Sequence, residues 1–168
     1  MSAMRTPGDE SKIVHHDEAG YAVASWRHVF IQVARVPVTG EAQRRVRRGL
    51  EAHWKRWQTE TLTLVVIEQA ALASVPAEVR DEGAAMAREM PSRAVAFVVE
   101  GSSFRMAAAR TILAGLNMIS RARYAQSIFS TLDEATKWLV QFDGPLRRGD
   151  SGDSDARALA SFVGPLRG

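Results

Sequence analysis

Two short runs constrain this chain more than any other feature. Residues 62–67 and 94–99 are apolar at every position but Thr63. A strand apolar on both faces is central in a sheet covered by helices on its two sides. The segment between them supports that placement. Pro76 stands where a helix can begin, with Ser74 available as its cap, and Pro91 ends it. Val79, Met86 and Met90 then form its inner side.

The flanking pattern extends the same architecture. Residues 21–26 and 29–35 are rich in β-branched and aromatic side chains and read as strands, with Val29, Ile31 and Val33 on one face. Arg27 and His28 separate them, which allows a tight hairpin or one long bent strand. Thr39 offers an N-cap, with Glu41 in the first turn of a helix reaching about Gln58. Val46, Leu50, Trp54 and Trp57 fall on one side of it, and Arg44, Arg48, Glu51 and Lys55 on the other. Residues 104–120 carry only Arg105 and Arg110 as charges, so this predicted helix is deeply buried or forms a subunit interface. A homodimer through it is the expectation. A short strand at 127–129 follows. Thr131 and Glu134 then have capping-box spacing before Leu132, Ala135, Leu139 and Phe142, and Gly144 with Pro145 stops the helix. The order β-β-α-β-α-β-α-β-α predicts an α/β fold: one domain with a mixed, mostly parallel sheet of about five strands and helices packed on it. The expected organisation is a flexible N-terminus (1–12), the domain (13–142) and a flexible C-terminal tail (143–168).

Composition narrows the chemistry. The 168 residues suit one domain, and the 46% apolar content suffices for a core. With no cysteine, disulfides, thiolate catalysis and cysteine-ligated metals are excluded. No apolar run approaches the roughly 18 residues of a bilayer span, and residues 1–11 lack the apolar segment of a secretory signal. A cytoplasmic location is expected. The net charge of +3 is too small to argue for nucleic acid. His15-His16-Asp17-Glu18 reads as a solvated segment, because adjacent side chains of a strand point apart and no third ligand lies at metal spacing. Glu100-Gly101-Ser102-Ser103 lacks the second glycine of a nucleophile elbow and reads as a helix cap. Arg44, Arg45, Arg47, Arg48, Lys55 and Arg56 make one helix basic, a solvated face partly paired with Glu41 and Glu51. His53 reads as a packed core histidine. No acid, base and nucleophile stand together at readable spacing, so no enzyme, metal or cofactor is expected, although distant residues can converge in space.

Three stretches carry a family resemblance: Val29-Phe30-Ile31-Gln32-Val33 leading to Val38-Thr39-Gly40-Glu41; Leu64-Val65-Val66-Ile67; and Ile128-Phe129-Ser130-Thr131-Leu132-Asp133-Glu134-Ala135 ending in Lys137-Trp138-Leu139. Over about residues 21–140 the chain resembles the STAS superfamily, in particular its SpoIIAA-like branch. The resemblance implies a non-catalytic regulatory module that docks partner proteins. Some members bind nucleotides or lipids. Members acting as phospho-switches carry Asp-Ser or Asp-Thr, then Ser-Gly, where this chain has Glu68-Gln69-Ala70-Ala71-Leu72-Ala73-Ser74, so the motif is missing here.

The tail repeats itself. Phe142-Asp143-Gly144-Pro145-Leu146-Arg147 recurs as Phe162-Val163-Gly164-Pro165-Leu166-Arg167, across a Gly/Ser/Asp stretch at 149–155 with linker composition. One reading is coincidence, with Phe142 closing the last helix. The other is a docking peptide, an apolar pair with a Gly-Pro bend and a terminal cation, made bivalent by repetition. The second copy resembles the cargo-loading peptides of encapsulin nanocompartments, which often have a Val/Ile-Gly-x-Leu-Arg/Lys core. Pro165 stands where Ser is common, and the first copy has Asp143 at the apolar position. Three expectations follow: an interaction module whose tail docks a protein, a small-ligand or lipid-binding protein with a pocket under Phe104, Met106 and Trp26, and an encapsulin cargo.

Overall fold

In the computed structural model the described residues are 12–58, 60–72, 75–90, 92–100, 107, 110–111, 124–143 and 151–167. They form a single sheet of six strands with four helices on it, an α/β architecture. Strand β1 (Lys12–Glu18) pairs antiparallel with β2 (Tyr21–Trp26), and β2 pairs antiparallel with β3 (Val29–Ala34). Strands β4 (Thr61–Ile67), β5 (Ser92–Val99) and β6 (Ala125–Phe129) then add parallel to β3 in sequence order. Helix α1 (Gly40–Trp57) joins β3 to β4, α2 (Ala77–Glu89) joins β4 to β5, α3 (Leu132–Val140) follows β6, and α4 (Ser151–Val163) runs into a 3-10 turn, Gly164–Arg167.

The alternation of side chains gives the sheet two unlike faces. Ala24, Ile31, Leu64 and Ala96 stand in one cross-strand row, and all four are fully buried. With their neighbours along each strand they make one apolar surface, covered by Leu132, Ala135 and Leu139 of α3 and by Leu159 and Val163 of α4. The other face carries Val23 and Phe30, which pack with Val46 and Leu50 of α1 and Met86 of α2. Helix α1 lies close to β2: a Cβ on Gly49 would fall 2.6 Å from Val23 Cγ1. Only a glycine admits that approach.

The local signals explain the element ends. Trp26 pairs with Val29 across a two-residue turn, and Arg27 takes φ 50°, the left-handed backbone that such a hairpin turn demands. The segment is therefore a tight hairpin and not one bent strand. Thr39 caps α1 by accepting from the Ala42 N–H at 3.2 Å. Thr131 caps α3 by accepting from the Glu134 N–H, and its hydroxyl donates to the Glu134 carboxylate.

Four expectations need correction. There are six strands, because 12–18 forms an edge strand whose pairing is by backbone and needs no apolar pattern. Trp54 is exposed, since the buried stripe of α1 runs through Val46, Gly49, Leu50 and His53 and turns Trp54 outward. Trp26, expected at a ligand pocket with Phe104 and Met106, is buried in the core on the α3–α4 side, and Phe104 and Met106 lie outside the described residues. Residues 151–167 are not a flexible tail. Ala156, Leu159, Val163 and Leu166 recur at helical spacing and are all buried, and the Gly/Ser/Asp stretch supplies the polar start of α4. The predicted helix at 104–120, apart from residues 107, 110 and 111, and Gly144, Pro145, Leu146 and Arg147 of the first tail copy lie outside the described residues.

The C-terminal segment is also held by polar contacts. Arg27 bonds Asp155 at 3.1 Å, Arg35 Nε donates to the Leu166 carbonyl at 3.0 Å, and Arg167 pairs with Glu100 just past β5. We expect Leu159→Ala to cost about 2–5 kcal/mol in urea unfolding, the range for a leucine truncated in a closed core. An unchanged midpoint would show that α4 does not share the core.

Candidate functional site

The central strand β4 is unevenly covered. Leu62, Leu64 and Val66 are buried beneath α3 and α4, whereas Thr63, Val65 and Ile67 on the opposite face are only half-buried. Two helices lie on that face among the described residues. Helix α1 sits over β2 and β3, and α2 packs against α1. A cavity of about 230 Å³ remains between them and the sheet. Phe30, Val65 and Phe97 form part of its floor, from β3, β4 and β5. Leu50, Met86 and Met90 wall it from α1 and α2. The methionines are unbranched and adapt to irregular shapes.

Polar groups interrupt this lining at few places. Gln32 opens onto the cavity from the middle of β3, in the row shared with Val65 and Phe97. Gln43 of α1 is only 5% exposed, yet its carboxamide has no partner among the described residues. A Cβ on Gly83 of α2 would lie 3.8 Å from Gln43 Nε2, so the carboxamide sits against α2. Arg80 also lines the cavity, is exposed, and forms no ion pair among the described residues. Tyr124 stands on the β6 side, and burial raises its pKa, which keeps the phenol protonated.

The other arginines nearby are occupied. Arg44 meets Glu78 at 2.7 Å, Arg45 meets Glu41 and Glu18, and Arg47 meets Glu82 at 3.1 Å and Glu89 at 2.5 Å. The basic side of α1 is thus largely a seam of ion pairs, chiefly with α2. Arg44, Arg45 and Arg47 are thus engaged within the domain.

A second polar cluster lies at the hairpin end of the sheet. Ser25 is 1% exposed, and its hydroxyl lies 2.7 Å from His15 Nε2 and 2.8 Å from His53 Nδ1. His53 Nε2 faces the His28 carbonyl at 3.2 Å. A carbonyl only accepts, so His53 carries its proton on Nε2 and accepts from the Ser25 hydroxyl at Nδ1. Ser25 in turn accepts from His15 Nε2–H. His28 bonds Asp143, and its ring meets Trp57 edge-on at 6.0 Å. Serine and histidine here have the spacing of a nucleophile and base, but the serine is sealed from solvent. The network joins β1, β2 and α1. Burial holds His53 at about pKa 4 and also lowers His15.

His15 and His16 diverge, His16 stacking on Tyr21 at 4.6 Å. Among the described residues no three His, Asp or Glu side chains are placed to hold a metal ion.

The tail motif expected to bind a partner is placed differently. Val163 and Leu166 are buried in the domain's own core, Phe162 is half-buried, Gly164 and Pro165 are exposed, and Arg167 is paired with Glu100. A docking peptide needs its apolar pair free, and here intramolecular burial consumes it. Gln32, Gln43, Gly83 and Arg80 were not legible as a group, since they lie on three separate elements. Gln32 alone was visible, as a lone polar residue inside an apolar strand.

Comparison with family models, curated proteins and solved structures finds no match to this chain. No helix among the described residues is long and apolar enough to cross a membrane.

The buried histidine sets a pH dependence. The unfolded His53 titrates near 6.5 and the folded one near 4, so between these values the unfolded chain binds more protons. Stability is complete above pH 6.5 and falls as the pH drops toward 4, by about 3 kcal/mol from this group. Urea midpoints at pH 7.5 and 4.5 measure it. His53→Gln, which cannot titrate, should flatten the difference, and an unaltered slope would refute the assignment.

Proposed function

We propose that this chain is a non-catalytic binding module that holds a small, mainly apolar molecule between its sheet and helices α1 and α2. The observation that carries this reading is the cavity over Val65, on the central strand, where a sheet of this kind would ordinarily be closed by side chains. Concave, mostly apolar spaces with a few convergent polar groups are the common form of ligand sites. The volume is below the roughly 300–1,000 Å³ of sites for drug-sized ligands, which points to a small occupant. The resemblance to the STAS superfamily, some of whose members bind lipids, agrees with a module of this type. The burial of Val163 and Leu166 weighs against a tail that docks a partner, including an encapsulin shell, unless α4 first leaves the core.

A short, mainly apolar molecule matches the size and lining of the cavity. 1-Octanol is therefore a suitable probe, followed by amide chemical shifts of the full chain. We expect shifts that saturate below 1-octanol's solubility limit and that map to β4, α1 and α2. Val65→Phe should fill the floor, preserve the thermal transition within a few degrees, and weaken binding at least tenfold. Absence of saturable shifts in the parent protein would overturn the reading.

A further inference from the structure

We propose that the occupant carries a carboxylate, and that Arg80 and Gln43 receive it. This rests on the cavity being a ligand site and names the chemistry of that ligand. The two residues occupy the same position in their helices, the fourth of α1 and the fourth of α2. The two helix starts lie side by side, as the 2.7 Å pair between Arg44 and Glu78 shows. Arg80 and Gly83 are three residues apart and share one face of α2, and Gln43 Nε2 lies against Gly83. A guanidinium and a carboxamide N–H thus converge at one end of the cavity. That end adjoins the segments following β3 and β4, at the carboxyl ends of the parallel strands, where α/β sheets bind ligands.

The electrostatics favour an anion there. Two helix starts contribute positive potential within their first turns. The acids flanking Arg80 on α2 do not neutralise it, because Glu78 is engaged by Arg44 and Glu82 by Arg47. Asp81 is the next residue in a helix, and adjacent helical side chains do not face each other. Gln43 supplies an independent sign of a ligand: a polar side chain, 5% exposed, opening onto the cavity with no partner among the described residues. Its carboxamide is thus left to hydrogen-bond whatever enters the cavity.

The remainder of the cavity selects the body of the molecule. From Arg80 the wall of α2 continues to Met86, roughly 9 Å along the helix at 1.5 Å per residue. Across from it lie Val65 and Phe97. The occupant is therefore an apolar monocarboxylate of short to medium length, with its carboxylate near the helix starts and its body along α2.

Octanoate and 1-octanol share a body and differ at the head, so the pair isolates the inference. Both are titrated into the full chain at pH 7.5 and low salt. Octanoate is expected to bind at least tenfold more tightly than 1-octanol, and added salt should narrow the gap. Arg80→Gln should bring octanoate down to the level of 1-octanol, and Arg80→Lys should restore part of the preference. If 1-octanol binds as well as octanoate, or if Arg80→Gln leaves the preference intact, the carboxylate assignment falls while the cavity reading stands. If neither binds, both fall.

Discussion

Burial of the apolar face that β2, β3, β4 and β5 share is the constraint on which this structure depends. Ala24, Ile31, Leu64 and Ala96 cross that face in a continuous row without exposure, and α3 alone is too short to cover their strands. Helix α4 completes the cover with Leu159 and Val163, and Leu166 of the following turn extends it. At about 25 cal/mol per Å² of apolar surface, a layer of this kind outweighs any single polar contact in the molecule. The ion pairs from Arg27 and Arg167 then fix where the segment lies more than whether it docks.

With one face closed, the other is free to be specialised. Among the described residues, α1 rests on β2 and β3 of that face while α2 leans on α1 through arginine–glutamate pairs. The same pairs offset the charges of Arg44 and Arg47 on α1. Arg80 escapes this pairing because it lies on the cavity side of α2. A seam of ion pairs, an arginine without an ion pair among the described residues and an apolar cavity thus all lie around α2.

The polar network around Ser25 serves another end of the same face. Neutral His53 links a strand hydroxyl to the hairpin carbonyl of His28, and so satisfies buried groups where α1 ends over the sheet. Each histidine nitrogen is used, which specifies one tautomer and one ring orientation. A hydrophobic side chain of similar size would leave both the Ser25 hydroxyl and the His28 carbonyl without this partner.

Much of the fold was legible in the sequence. The two-faced apolar runs at β4 and β5, the Thr39 and Thr131 caps, and the alternation of strands and helices are local signals, and local signals determined the α/β class, the parallel connections and most element boundaries. Strand β1 was not legible because an edge strand is recruited by backbone hydrogen bonds, for which His-His-Asp-Glu is as suitable as any sequence. Helix α4 was missed because its polar start has linker composition, although Ala156, Leu159, Val163 and Leu166 already held the stripe. The cavity was beyond reach for a different reason. It is set by how α1, α2 and the sheet pack together, and that packing does not follow from any residue's own preference. The sequence by itself determined which surfaces had to be buried. Tertiary structure alone decided which of them is left incompletely covered, because Gln32, Gln43 and Arg80 meet only when three separate elements are brought together.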